Sequence, residues 1–168
     1  MGRFKFLLIV LVFVLPFIFA KHLFDNDVTT KRGTTNHGTF LANDINIQNL
    51  QDNNHWVILQ VIDNTCDLLC QDNMYMLRQI NTALGKDMDR VKRYLLAYNT
   101  QKNTANIEKY PKLIVLDKSE TLYNSLTKMD ERIFIADPFG KIILGYDNDF
   151  VAKGLLKDLK KLLKFSRR

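Results

Sequence analysis

The sequence predicts an α/β domain with a mixed sheet, carried behind an apolar N-terminal helix. Three observations predict it. Residues 56–85 (WVILQVIDNTCDLLCQDNMYMLRQINTALG) pass from a β-branched run to helical spacing across one short turn, as a β-α unit does. Further apolar runs at 91–98, 113–116, 132–136 and 141–146 precede a leucine-rich helical stretch at 150–165. Ahead of all of them, Arg3 and Lys5 lead into an uncharged run from Phe6 to Ala20.

Composition bounds the rest. A chain of 168 residues, 46% of them hydrophobic and only ten of them Gly or Pro (seven and three), holds one domain with a core plus an appendage. The net charge of +6 does not imply nucleic acid. The positive residues are spread along the chain and gathered on the last helix, without an aromatic-basic recognition motif. A membrane or an acidic protein accounts for them as well.

Residues 1–21 are expected to form a signal-anchor helix. The uncharged run is short against the ~20 residues that cross a bilayer, but Phe4 extends it, and Lys5 and Lys21 can snorkel. A cleaved secretory signal is the rival; Ile18-Phe19-Ala20 is a poor small-x-small cleavage site, which favours retention. Either way the remainder is exported, where disulfides persist. No Asn-x-Ser/Thr sequon is present, which favours a bacterial setting, and the expected place is a bacterial inner membrane with the domain in the periplasm. Residues 22–52 read as a polar connector punctuated by Gly33 and Gly38; Ile45, Ile47 and Leu50 hint at a short edge strand. His37, within TTNHGT, is either a turn residue, a metal ligand or part of a motif that folds back on the domain.

The domain spans 53–168. Trp56–Ile62 suits a buried central strand. Asn64 or Thr65 can cap the next helix, with Asp67 favourable in its first turn. Met74, Leu77, Ile80, Ala83 and Leu84 form its apolar stripe, outside which Asn73 and Asn81 mostly fall, and Gly85 ends it. Val91–Tyr98 is the second strand, 100–106 a polar loop, and Leu113–Leu116 a short apolar segment. Ser119 can cap a short helix with Leu122, Tyr123 and Leu126. Arg132–Ala136 is a strand that turns through Asp137-Pro138-Phe139-Gly140 into the hairpin partner 141–146. The last helix, 150–165, has Val151, Leu155, Leu156, Leu159, Leu162 and Leu163 on one face and lysines on the other. The parallel β-α-β start, the late hairpin and the closing helix give β-α-β-α-β-β-α, the order of a thioredoxin-like fold.

Cys66 and Cys70 are the two cysteines of the chain. At four residues apart they lie about one helical turn from each other. Helical Cβ atoms at that spacing stand ~5–6 Å apart, wider than a disulfide takes, so a bridge requires Cys66 on the loop or an unwound first turn. The helix N-terminus favours thiolate at Cys66 and Asp67 opposes it. Three uses fit the pair: a structural disulfide, reversible dithiol–disulfide exchange, or a soft metal, chiefly Cu(I), held between two thiolates. Zinc does not fit, because two cysteines fall short of four ligands. Asp63 is a candidate proton acceptor for the pair, or simply a turn residue. The basic face of the last helix is either solvated or rests on anionic lipid.

The anchor, the C-x-x-x-C pair and a late strand ending in Asp-Pro-x-Gly resemble the Sco family. TTNHG, the MLRQ, ALGKD and DRV segments, IFIADPFG and GLLKDLKKLLK are similar to bacterial Sco-related membrane proteins. The resemblance implies a membrane-anchored, periplasm-facing thioredoxin-fold protein of cytochrome c oxidase assembly. It would act by thiol–disulfide exchange on copper-site cysteines of an oxidase subunit or copper carrier, or as a non-enzymatic Cu(I) chaperone. By that resemblance Cys66 and Cys70 are the redox or metal-binding pair. The family's third copper ligand is a histidine shortly before the late strand; here Lys128, Met129, Asp130 and Glu131 occupy that place, and no histidine follows His55. The family's proline after each cysteine is replaced by Asp67 and Gln71. His37 is then the histidine candidate for a metal, with Met129 a thioether candidate.

Overall fold

The computed structural model of the chain describes residues 2–25, 35–41, 45–47, 54–62, 66–97, 109–116 and 120–166. It divides into two compact units, Met1–Thr35 and Asn36–Arg168. In the first, Gly2–Asp25 is a continuous helix, α1, with Pro16 inside it. Side chains 11–19 are exposed, Phe17 at 81%. Counted over the described residues, no helix is long and apolar enough to cross a membrane.

The second unit is built on a mixed sheet of six strands: β1 (Thr39–Phe40), β2 (Trp56–Ile62), β3 (Val91–Ala97), β4 (Leu113–Leu116), β5 (Ile133–Ala136) and β6 (Ile142–Tyr146). Their order across the sheet is β1-β6-β5-β2-β3-β4. The pairs β2·β3 and β3·β4 are parallel; β2·β5, β5·β6 and β1·β6 are antiparallel. Helices α2 (Leu68–Ala83), α3 (Glu120–Leu126) and α4 (Ala152–Phe165) cover it. The expected thioredoxin-like architecture is present, with two strands added at the edges. The segment at 113–116 pairs with β3 as β4. In the stretch hinted at by Ile45, Ile47 and Leu50, Asn46 bridges to Lys141, and a further edge strand forms earlier, at Thr39–Phe40.

Alternation along β2 sorts the core, since successive side chains point to opposite faces. Val57, Leu59 and Val61 meet Tyr94, Leu96 and the α3 residues Leu122, Tyr123 and Leu126. Trp56 and Ile58 face Leu77 and Ile80 of α2 and Leu155, Leu159 and Leu163 of α4. Each such aliphatic side chain contributes roughly 1.5–3 kcal/mol on burial, which is why this strand tolerates so little polarity.

Several expectations need correction. Ala83 is exposed, whereas Asn73 and Asn81 are buried on α2. Both amides have partners: Asn73 donates to the carbonyl of Asn148 at 2.9 Å, and Asn81 to those of Met88 and Val91, each at 3.2 Å. Val151 is 69% exposed and precedes α4, which begins at Ala152. Its place on the buried face goes to Asp158, 2% exposed. The Asp137–Gly140 turn forms as expected, with Gly140 at φ 85° and Asp137 Oδ1 accepting from the N–H groups of Phe139 and Lys141, both at 2.9 Å. Gly85, at φ 59°, supplies the left-handed residue that ends α2. Leu50, Asp63, Asn64, Thr65, the 100–106 loop and Ser119 lie outside the described residues.

Candidate redox site

β2 ends at Ile62 and α2 starts at Leu68, so Cys66 precedes the helix and Cys70 is its third residue. Asp67 is the N-cap: its Oδ1 accepts from the Cys70 N–H at 2.8 Å, satisfying one of the donors that a helix start leaves open. The side chain read as a first-turn charge therefore caps the helix itself. With Cys66 off the helix, the geometric bar to a bridge is lifted. Cys66 and Cys70 are joined by a disulfide with Cα atoms 5.2 Å apart, inside the usual range.

The bridge rests on apolar surface. Both cysteines are partly buried against Ile62, Met74, Leu95 and Ala97, with Tyr110, Leu113 and Val115 packed on the same cluster. The Tyr110 hydroxyl donates to the carbonyl of Gln71 at 3.3 Å. On the outer side Leu68, between the two cysteines, is 80% exposed.

Beneath the bridge lies a polar group that the sequence reading did not single out. Gln60, only 3% exposed, sits on β2 with its amide toward α2. Its Nε2 donates to the carbonyl oxygen of Cys70 at 3.2 Å and lies 3.7 Å from Cys70 Sγ. The one signal for it was a lone amide inside an otherwise apolar strand, WVILQVI. Arg93 on β3 is also buried, 6% exposed, and its Nη2 donates to the carbonyl of Pro111 at 2.8 Å. Burial, and then the charge of Arg78, lower its pKa from the ordinary value.

His37 belongs to a separate polar cluster. The Asp158 carboxylate accepts from the backbone N–H of His37 at 2.7 Å, from that of Gly38 at 3.1 Å and from the Tyr146 hydroxyl at 2.9 Å, all on Oδ2. His37 Nδ1 stands 3.3 Å from Oδ1. Burial pushes the Asp158 carboxyl up, but these bonds outweigh it and hold its pKa below the ordinary value. Burial, then the charge and hydrogen bond of Asp158, push the Tyr146 phenol up. Residues 37–41 thus fold back on the domain, one of the uses read for His37. The contacts described for the His37 side chain are with Asp158 and Gly154 of α4. Met129 packs against the cluster on the α3 face, the opposite side of the sheet from Gln60. Among the described residues, no group of three His, Cys, Asp or Glu side chains is placed to hold a metal ion. His55 lies before β2, at the far end from Ile62, with a buried Nδ1 that has no hydrogen-bond partner among the described residues.

Comparison with known proteins bears on this geometry. The family described as transmembrane-like, thioredoxin-like, C-terminal domain matches residues 56–166, from the first residue of β2 to just past the end of α4. The chain belongs to this family. Among solved structures, its thioredoxin-like domain is similar to apo Sco1 of Thermus thermophilus, at 17% identity over 78% of this chain and 99% of that one, with a TM-score of 0.57. It is also similar to copper-bound yeast Sco1, at 14% identity over 66% and 78% (TM-score 0.51). A yeast mitochondrial 1-Cys peroxiredoxin matches at 13% identity over 68% and 67% (TM-score 0.51). At these identities the likeness is one of fold: a Sco-like thioredoxin fold, related to that of peroxiredoxins. No curated protein matches the chain.

Proposed function

We propose that this chain is a membrane-anchored thiol–disulfide exchange protein that keeps copper-site cysteines reduced during cytochrome c oxidase assembly. The observation that carries the reading is the Cys66–Cys70 bridge at the strand-to-helix junction, with Cys66 ahead of the helix and Cys70 held within its first turn. In the reduced state Cys66 is the attacking thiolate and Cys70 the resolving thiol. The exposed Leu68 beside them gives a partner segment an apolar place to lie. Support for the anchor is the continuous helix α1, about 36 Å long at 1.5 Å per residue, with exposed apolar side chains at 11–19. In this reading the helix starts on the cytoplasmic side, where Arg3 and Lys5 lie, and the domain is outside.

Incubating the purified, reduced full-length chain with an oxidised two-cysteine peptide from an oxidase copper-site segment tests the reading. Reduction of the peptide with matching formation of the Cys66–Cys70 bridge, both lost in Cys66→Ser, is the expected result. A peptide left oxidised excludes the role.

The second reading makes Cu(I) a cargo, carried by the reduced pair. It is favoured by the copper in yeast Sco1 and weakened here by the histidine missing before β5 and by the Asp158 contact of His37. Titration with Cu(I) against a competing chelator separates the two. Tight one-to-one binding lost in Cys66→Ser, without peptide reduction, marks a chaperone.

A further inference from the structure

Gln60 is a side chain that the exchange chemistry above leaves unused. Inside a buried strand an amide costs free energy unless its hydrogen bonds are made, and an apolar residue would fill the position without that cost. Its orientation is set by chemistry: the Cys70 carbonyl only accepts, so the group facing it at 3.2 Å is the NH2. That nitrogen carries a second hydrogen, and Cys70 Sγ is 3.7 Å away. Of the titratable groups near Cys70, Asp67 is engaged with the Cys70 N–H and Tyr110 with the Gln71 carbonyl. Gln60 itself neither gives up nor takes a proton, so it can act on sulfur only as a fixed donor.

We propose that Gln60 is a positioning residue that holds Cys70 as the resolving thiolate. The inference rests on the exchange reading. Cys66 thiolate attacks a sulfur of the substrate disulfide; that S–S bond breaks, a Cys66–substrate mixed disulfide forms, and the substrate's other sulfur leaves as thiolate. The Cys70 thiol then loses its proton to solvent. Its thiolate, held by the Gln60 N–H, attacks Cys66 Sγ and forms the Cys66–Cys70 bond. The mixed disulfide breaks and its electron pair leaves on the second substrate sulfur. The substrate has gained two electrons and the pair has lost two. Hydrogen bonding to a charged form favours that form, so the donor raises the thiolate fraction at Cys70. The same bond dulls its nucleophilicity with a Brønsted coefficient of about 0.4–0.5, and the fraction term wins.

The test measures Cys70 alone, by the pH dependence of its alkylation in the full-length Cys66→Ser chain, with and without Gln60→Met. Loss of one charge-assisted hydrogen bond is expected to raise the Cys70 pKa by about one unit. In chains with both cysteines, at a pH below the Cys70 pKa, Gln60→Met is expected to slow resolution of the mixed disulfide about threefold. Gln60→Glu, which sets a carboxylate against the sulfur, should raise the Cys70 pKa further. An unchanged Cys70 pKa in folded Gln60→Met and Gln60→Glu chains overturns the proposal and leaves Gln60 a packing residue. Should neither variant fold, the Gln60 side-chain amide resonances of the Cys66→Ser chain decide it: they must titrate with Cys70, and resonances unmoved across that titration overturn it. No exchange partner is needed, so failure here is distinguishable from failure of the exchange reading.

Discussion

At one site on the sheet, Gln60 reaches toward a disulfide that closes the start of α2; at another, Asp158 reaches from α4 to collect three hydrogen-bond donors from β6 and the 37–38 backbone. Both put a polar group where an apolar one would pack. The difference lies in what each can exchange. The sulfur site has a neutral donor beneath Cys70, a bond that thiols can break, and an exposed leucine beside it. The carboxylate site is closed on itself: its charge is matched donor by donor, and its backbone partners belong to the segment that it holds down. On the proposed reading the first serves chemistry with another molecule, while the second fastens a segment to its own domain.

Substitutions can break that contrast, and the largest effect is expected at sulfur. Cys66→Ala should abolish disulfide exchange while costing only about 2 kcal/mol of stability for so short a cross-linked loop, readable as peptide reduction beside a chemical melt. Asp158→Ala should do the reverse. It strands buried donors that cost ~1–3 kcal/mol apiece, so a loss of about 3 kcal/mol in the melt is expected, with exchange unchanged at temperatures where the chain is folded. Equal losses of exchange at both sites would erase the distinction.

Gly38 sharpens the comparison further. A Cβ there would stand 2.5 Å from the Tyr146 ring, and overpacking of that kind costs ~1–3 kcal/mol. Gly38→Ala is expected to destabilise within that range and to speed proteolysis of the 35–41 segment, leaving the cysteines as reactive as before. The smallest effect is the pH dependence. Because the folded-state pKa of Asp158 lies below its unfolded value of 3.8, its stabilisation is full above that value and is lost as pH falls through the folded pKa. Melting curves on the acid side should therefore flatten in Asp158→Asn, and unchanged curves would deny the carboxylate this role.

Much of the architecture was legible in the chain because it rests on period. The β2-to-α2 change, the Asp137–Gly140 turn and the leucine face of α4 each follow from spacing and turn chemistry. The misses share a different cause. Asn73, Asn81, Gln60 and Asp158 are polar residues inside the domain, and their burial depends on partners in other segments, 75 positions away for Asn73 and 7 to 10 away for Asn81 and Gln60. Asp158 meets His37 across 121 positions, which no local pattern reports. Gln60 was visible only as an anomaly in an apolar strand, without any sign that Cys70 would lie above it. The cysteine pair was readable from spacing, but its closure depended on the cap: with Asp67 as N-cap, Cys66 falls outside the helix and the two sulfurs can meet.

The proposed role turns on whether this bridge exchanges with another molecule's thiols, and trapping measures that directly. The full-length Cys70→Ser chain, mixed with an oxidised two-cysteine peptide from an oxidase copper-site segment, should accumulate a mixed disulfide that peptide mapping places on Cys66. The wild-type chain should pass through the same species to the Cys66–Cys70 bridge and a reduced peptide. A Cys70→Ser chain that captures no peptide, beside a wild-type chain that leaves the peptide oxidised, would contradict it.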